Sequence, residues 1–283
     1  MTTGELYFVD AHSQVDDRVD VERVIPLMDR AGVRRVILST TARRSQDEVL
    51  ALAARHPGRV IPAVRTKGYM TNMPLRRYEQ ILDSQLADPR YGAMAEVLSF
   101  HEQVPGSSVQ RIMVPPDDPR VERAFAAARQ KGWPFVIQIQ FANTGPLRES
   151  YMAKLKALTA QHPDHPVVLI HMGQLDATTV QQLIVAHPNL YFIASTATPI
   201  AAHRGGFAWT NMFEGGRLSP EWKRLLVDHR KRFIFGLDSS VAETWDDSYV
   251  EQAVLWRAAL MELPEEVAHV FAHGNAERLW RLS

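Results

Sequence analysis

Polar side chains that can bind metals or transfer protons stand at or near the ends of apolar runs in this sequence. The first run ends in Asp10-Ala11-His12-Ser13-Gln14, and the last ends in Phe235-Gly236-Leu237-Asp238. Runs between them carry Glu96, the pair Gln138 and Gln140, and His171. In a parallel α/β barrel the apolar part of each strand is buried, and only the C-terminal mouth accommodates charged groups. We therefore predict that these polar residues meet at one mouth.

Two neutral imidazoles and two carboxylates make a suitable ligand set for one divalent ion. We predict that this ion is held by four residues: His12, Glu96, His171 and Asp238. Such an ion lowers the pKa of a bound water toward ~7 and polarises a carbonyl group. Asp238 would accept the proton of that water as general base, with His171 beside it in catalysis. Each of these residues alone could be a satisfied strand-end residue, but their common rim favours a shared site.

Glu96 lies inside the apolar run Ala93–Phe100, where a carboxylate is costly unless a cation or a metal compensates it. One alternative to metal ligation is an ion pair with Arg65 on the neighbouring third strand. Arg65 could instead hold a substrate carboxylate, because a guanidinium group matches a carboxylate with two hydrogen bonds.

A site without metal is the main alternative. Glu96 and Asp238 would then face each other without compensation, so that one of them should have a raised pKa and could serve as an acid. Gln14, Gln138 and Gln140 would donate amide hydrogens to a substrate oxygen. This arrangement suits a metal-independent lactonase in which Asp238 activates water. A decarboxylase on the same barrel is an equal alternative, although it would also need a metal or an acid near the departing carboxylate, and a non-catalytic binding protein with a degenerate site is the third alternative.

Short apolar runs alternate with segments in which apolar residues recur at helical spacing. The eight runs are Leu6–His12, Arg35–Thr40, Val60–Arg65, Ala93–Phe100, Phe135–Gln140, Val167–His171, Leu190–Ser195 and Phe233–Asp238. The helical segments are Val21–Ala31, Ser45–His56, Leu75–Leu86, Arg120–Lys131, Leu147–Gln161, Thr178–His187 and Pro220–His229. Eight such units predict an α/β fold, a single (β/α)8 barrel domain over residues 1–283 with its active site at the C-terminal mouth. An open doubly wound sheet is the alternative, but no glycine-rich dinucleotide fingerprint follows the first run.

Two long connections, Thr66–Met73 and Thr196–Leu218, follow strand ends and should therefore cover the mouth. Lys67 in the first connection and His203-Arg204 in the second could bind an anion. Loop residues of these types are more often solvated.

Composition excludes several classes of function. The sequence has no cysteine, which excludes disulfides and cysteine nucleophiles, and no Gly-x-Ser-x-Gly motif, which disfavours a serine hydrolase. Thirty-two basic residues balance thirty-two acidic ones without an extended basic run, so nucleic acid is not an expected partner. No apolar run approaches the ~18 residues of a membrane span, and no signal peptide is visible. We expect a cytoplasmic protein with a small-molecule substrate, and the sequence leaves a homo-oligomer open.

Four segments together resemble the amidohydrolase superfamily, in particular its amidohydrolase-related branch. They are Val9–Gln14, Ile170–Gly173, Gly236–Ser239 and Gly274–Trp280, and they stand in family order over nearly the whole chain. The resemblance implies a distorted (β/α)8 barrel that hydrolyses amide, ester or lactone bonds, usually with zinc or manganese.

The resemblance also assigns roles to single residues. It places His12, His171 and Asp238 at ligand positions, makes Asp238 the proton-shuttling base, and gives Gly274–Trp280 a structural role. Gln14 and Gln138 stand where the family has histidines. Because an amide oxygen is a weaker zinc ligand than imidazole, these two residues disfavour a pair of zinc ions.

Overall fold

The computed structural model of the protein describes residues 5–67, 73–103, 111–202 and 204–282. The strands within these residues are β1 (Phe8–Val15), β2 (Val33–Thr40), β3 (Val60–Val64), β4 (Ala93–Met94), β5 (Val97–His101), β6 (Ile112–Met113), β7 (Phe135–Ile139), β8 (Val167–Leu169), β9 (Leu190–Ile193), β10 (Phe213–Glu214), β11 (Arg217–Leu218) and β12 (Phe233–Ile234). The helices are α1 (Val24–Ala31), α2 (Gln46–Arg55), α3 (Leu75–Leu86), α4 (Pro119–Lys131), α5 (Arg148–Gln161), α6 (Ala177–Ala186), α7 (Pro220–Asp228), α8 (Asp247–Leu260), α9 (Glu265–His269) and α10 (Asn275–Trp280).

Parallel strands form the wall of the molecule in two arcs. One arc has the order β1-β2-β3-β4, and the other has the order β12-β9-β8-β7-β5, with β6 added antiparallel to β5. β4 and β5 are halves of one predicted strand, which is interrupted at Ala95-Glu96. The predicted α/β barrel is therefore confirmed.

A seam between β1 and the segment after β12 closes the barrel. Asp238 N donates to His12 O over 2.7 Å, and Gln14 N donates to Ser239 O over 2.7 Å. Gly236 allows the close approach, because a Cβ atom there would lie 2.6 Å from Ile193 Cγ2 and 3.3 Å from His12 Cβ.

Local signals in the sequence explain several helix boundaries. α3 occupies the predicted residues, and Ser45 caps α2 by accepting a hydrogen bond from Asp47 N. Gly32 and Gly132 end α1 and α4 in the left-handed conformation, with φ of 69° and 68°, which glycine adopts without steric cost. The sequence did not predict α8, which packs against α1.

The apolar core has two layers. Small and branched side chains of the strands fill the barrel itself, and Ala276, Leu279 and Trp280 of α10 pack against them. A larger layer lies between the strands and the surrounding helices. Asn275 fixes α10 to the barrel, since its buried amide donates to Arg230 O and Phe233 O over 2.8 and 2.7 Å. Within the described ranges, every helix is too short or too polar to serve as a membrane span.

Asp10 joins β1 to the closing seam and to α8. Its fully buried carboxylate accepts hydrogen bonds from His12 N, Ser13 Oγ, Leu237 N and Tyr249 Oη over 2.6 to 3.2 Å. Burial raises the pKa of Asp10 to about 6, although these donors act to lower it.

We expect Asp10→Ala to lower the free energy of unfolding by about 3 to 5 kcal/mol, because several buried donors lose their acceptor at once. Tyr249→Phe is the matched control, since it removes one donor and should cost about 1 kcal/mol. Urea denaturation at neutral pH measures both. Equal losses in the two variants would show that Asp10 does not hold the seam together.

Candidate active site

Two histidines and one aspartate converge at the C-terminal ends of the strands. His12, His171 and Asp238 each offer a ligand atom, and these atoms all lie within 4.8 Å of one another. His12 Nε2 is 3.8 Å from Asp238 Oδ1, and His171 Nε2 is 3.9 Å from Asp238 Oδ2. The histidines are 4% exposed, whereas the Asp238 side chain is 20% exposed and thus the most open of the three.

Strained backbone at the strand ends positions His171 and Asp238. Both predicted strand runs leave the sheet early, β8 at Leu169 and β12 at Ile234. His171 and Asp238 then adopt φ values of 56° and 53°, a left-handed conformation that costs a non-glycine residue roughly 1 to 3 kcal/mol. Local hydrogen bonds help to hold this backbone, because His171 N donates to Ser195 Oγ and Asp238 N donates to His12 O.

Ser195 orients both imidazoles. Its Oγ lies 3.1 Å from His12 Nδ1 and 3.0 Å from His171 Nδ1. A hydroxyl oxygen has two lone pairs, which can accept from His171 N and from the Nδ1–H group of His12, while the Nδ1–H group of His171 can donate to Ser195 O over 3.4 Å. Both Nε2 atoms can then face Asp238 without a proton. Sequence reasoning missed this role, although Ser195 closes the predicted seventh strand.

The two histidines differ in their electrostatic surroundings. Burial lowers the pKa of His171 to about 4, so this imidazole is neutral at physiological pH. The pKa of His12, in contrast, is raised. Burial by itself would lower this pKa, but the negative charges of Glu96 and Asp238 have the larger combined effect.

Lys67, in the loop after β3, is the main partner of Glu96. The Lys67 ammonium donates to Glu96 Oε1, and Gln14 Nε2 donates to the same oxygen over 2.5 Å. Glu96 is 1% exposed, and burial alone would raise its pKa, but Lys67 and His12 hold that pKa well below its usual range. The expectation that one uncompensated carboxylate acts as an acid is therefore wrong for Glu96, because Lys67 compensates it.

Arg65 does not form the ion pair considered for Glu96. Its Nε donates to Lys67 O over 3.3 Å and its Nη2 donates to Ala42 O over 2.8 Å, so these groups connect two loops at the mouth. Its predicted role in substrate binding stays a prediction.

The three glutamines differ in which of their side-chain amide atoms have a hydrogen-bond partner. Gln14 donates to Glu96, and Gln138 Nε2 lies 3.0 Å from His101 Nδ1. Gln140 Oε1 accepts from Glu102 N over 2.7 Å, while Gln140 Nε2 is buried without a hydrogen-bond partner. Substrate binding by these residues stays a prediction, and Gln140 is the one with an unused buried amide donor.

Aromatic side chains from the connection after β9 cover the site. The ring of Trp209 lies 4.8 Å from that of His171, and the ring of Phe207 lies 5.9 Å from that of His101. The prediction that this connection shapes the mouth is confirmed for its described part. His203 and most of the connection after β3, residues 68–72, lie outside the described residues.

A divalent ion fits the group formed by His12, His171 and Asp238. Two imidazole nitrogens and a carboxylate are ligands that zinc and manganese accept. His12 Nε2 is buried without a hydrogen-bond partner, as expected of an atom left for another ligand. Glu96 does not belong to this group of three, although its Oε1 lies 3.4 Å from His12 Nε2.

Cavities do not by themselves mark the site. A cavity of about 600 Å³ lies at the opposite end of the barrel and is lined by residues such as Tyr7, Gly32 and Arg257. Directly beside His12 and Glu96 lies a space of about 10 Å³, roughly enough for one water. The convergence of ligand atoms, and not cavity size, therefore identifies the mouth as the candidate site.

A protein-family model described as amidohydrolase matches residues 8–282. The search of curated proteins gives no match.

Solved structures share the fold over nearly the whole chain. A TIM-barrel protein from Bordetella bronchiseptica is 16% identical, with a TM-score of 0.66 over 98% of this chain and 99% of that one. An amidohydrolase from Burkholderia multivorans with bound zinc is 16% identical, with a TM-score of 0.60 over 98% and 100%. A probable 2-pyrone-4,6-dicarboxylic acid hydrolase from Acinetobacter baumannii, with citric acid bound, is 12% identical, with a TM-score of 0.57 over 97% and 99%.

Buried neutral histidines should make the folded protein sensitive to acid. Burial is the main cause that lowers the pKa values of His101, His165 and His171 to about 4. In the unfolded chain these groups titrate near ~6.5, so between the two values the unfolded state binds more protons. Burial also lowers the pKa values of His187 and His273, which act in the same direction. Asp10 and His12, whose pKa values are raised, act in the opposite direction, but they are two groups against five.

We therefore expect the free energy of unfolding of the metal-free protein to fall as the pH is lowered from about 6.5 to about 4. Urea denaturation across this range measures it, and His165→Gln should show a shallower dependence because it removes one of the histidines whose pKa is lowered. Stability that is constant or that increases toward pH ~4 would contradict the expectation.

Proposed function

This chain belongs to the amidohydrolase family, and from that premise we propose that it hydrolyses a small lactone, ester or amide, with Asp238 activating the attacking water. We further propose that His12, His171 and Asp238 hold one divalent ion, zinc or manganese. The observation that carries the proposal is the convergence of these three side chains within 4.8 Å at the mouth.

The position of Asp238 supports the proposal that it acts as the general base. Its carboxylate is the most exposed of the three groups, and each of its oxygens faces one imidazole Nε2. A water at the mouth can therefore reach the carboxylate and transfer its proton there. When bound, the divalent ion would polarise the substrate carbonyl and lower the pKa of the attacking water.

The position of Lys67 favours the binding of one metal ion at this site over the binding of two. A second ion beside Glu96 would have to displace the Lys67 ammonium from Glu96 Oε1, where Gln14 also donates. Like charges repel strongly at such short range in a buried setting. Lys67 thus provides a fixed positive charge beside the site.

A metal-independent lactonase is the second candidate, and the same ammonium favours it. Lys67 is 15% exposed and lies at the mouth, so its charge could stabilise a developing oxyanion without a metal. The neighbouring fold of a probable pyrone dicarboxylic acid hydrolase supports a lactone as substrate.

Asp238→Asn tests both candidates. We expect the rate of hydrolysis to fall by about 10²- to 10⁴-fold, because the amide cannot accept the proton of water, while the fold is retained. The assay is turnover of a panel of lactones, aryl esters and amides, with circular dichroism as the check on folding. Asp228→Asn, at the exposed end of α7, is the matched control and should retain the wild-type rate. Full activity in Asp238→Asn would remove Asp238 from the mechanism.

Metal content separates the two candidates. Protein purified without chelator should contain about one equivalent of zinc or manganese, and His171→Ala should lose most of it, because one of the three ligands is gone. Elemental analysis by mass spectrometry measures the content, with His56→Ala, at the end of α2, as control. A metal-free protein whose turnover is unaffected by chelator would exclude the first candidate and leave the second.

A further inference from the structure

We propose that Arg204 forms an anion subsite at the mouth that binds a carboxylate group of the substrate. The inference rests on the proposed function and narrows its substrate to one that carries a carboxylate in addition to the bond that is cleaved.

The placement of Arg204 follows from its main chain. Arg204 O accepts a hydrogen bond from Trp209 Nε1 over 2.8 Å, and the Trp209 ring lies 4.8 Å from the ring of His171. Phe207 packs edge-on against Trp209 at 5.5 Å and lies 5.9 Å from His101. The turn that begins at Arg204 is therefore tied to the wall of the candidate site.

The guanidinium group of Arg204 has no partner among the described residues. Its Nη1 atom is buried from solvent and makes no hydrogen bond. A buried donor without an acceptor is unfavourable, and more so when it is charged, because its lost hydration is not replaced. Other arginines around the mouth, such as Arg65 and Arg148, donate to main-chain carbonyls. Arg204 is thus a partly buried cation whose guanidinium makes no hydrogen bond within the part of the chain that the structure describes.

Two carboxylates interact electrostatically with the Arg204 guanidinium, but neither forms a hydrogen bond with it among the described residues. Burial lowers the pKa of the guanidinium, and the negative charges of Asp238 and Asp246 oppose this shift. Asp246 already caps α8 through Ser248 N, and Asp238 faces the two histidines. The Arg204 guanidinium therefore lies in the electrostatic field of Asp238 and remains available to a ligand.

These surroundings favour a carboxylate over a phosphate. The planar guanidinium fork matches a carboxylate with two parallel hydrogen bonds. A phosphate dianion would bring a second negative charge toward Asp238 and Asp246, whereas a carboxylate brings one. The aromatic side chains of Phe207 and Trp209 beside the turn suit a flat apolar group attached to that carboxylate.

Benzoate and benzamide are matched probes, because they have the same size and differ in charge. Calorimetric titration should show that the wild-type protein binds benzoate about tenfold or more tightly than benzamide. Arg204→Ala should reduce the affinity for benzoate about tenfold or more and change that for benzamide by less than about twofold. Arg217→Ala, in the same connection but ion-paired with Glu262 at the surface, should behave like the wild type.

Equal affinity of the wild-type protein for the two probes would overturn the proposal, as would equal losses for both probes in Arg204→Ala. Tighter binding of inorganic phosphate than of benzoate would overturn the choice of carboxylate. The thermal midpoint of Arg204→Ala should not fall, because no structural bond is removed. These readouts need no turnover, so a failure of the subsite is distinguishable from a failure of the proposed hydrolysis.

Discussion

The ion pair between Lys67 and Glu96 is the interaction on which the organisation of the mouth depends. Glu96 is 1% exposed at the break between β4 and β5, and a carboxylate buried there without compensation would cost several kcal/mol. Lys67 supplies the compensation from the loop after β3, and Gln14 adds a hydrogen bond from β1. The charged Glu96 in turn raises the pKa of His12. One buried pair thus links three strands and sets the charge beside the candidate ligands.

The sequence predicts the parts of this site that follow from strand order. His12, His171 and Asp238 each end an apolar run, and in a parallel barrel all such ends share one rim, so their convergence can be expected without coordinates. Helix bounds such as those of α3, and the cap at Ser45, follow from local patterns. The partner of Glu96 could not be predicted, because it depends on the path of a loop and not on the sheet register.

Two other features of the site could not be predicted from the sequence for a similar reason. Ser195 contacts two imidazoles that lie far from it in sequence, and the left-handed backbone at His171 and Asp238 arises where the strands leave the sheet. Neither follows from residue type or periodicity. The Ser195 contacts and the left-handed backbone both determine how the ends of the barrel strands orient their side chains. The proposed anion subsite at Arg204, in contrast, belongs to a connecting segment. Chemistry on strand ends and recognition on loops is the common division of roles in barrel enzymes.

Anomalous diffraction from crystals grown with zinc, recorded at the zinc absorption edge, tests the central claim most directly. The account predicts one peak, bound by His12, His171 and Asp238, with the Lys67 ammonium still on Glu96 Oε1. Two peaks, or one peak bound by Glu96 with Lys67 displaced, would contradict the claim that the buried ion pair leaves room for a single ion.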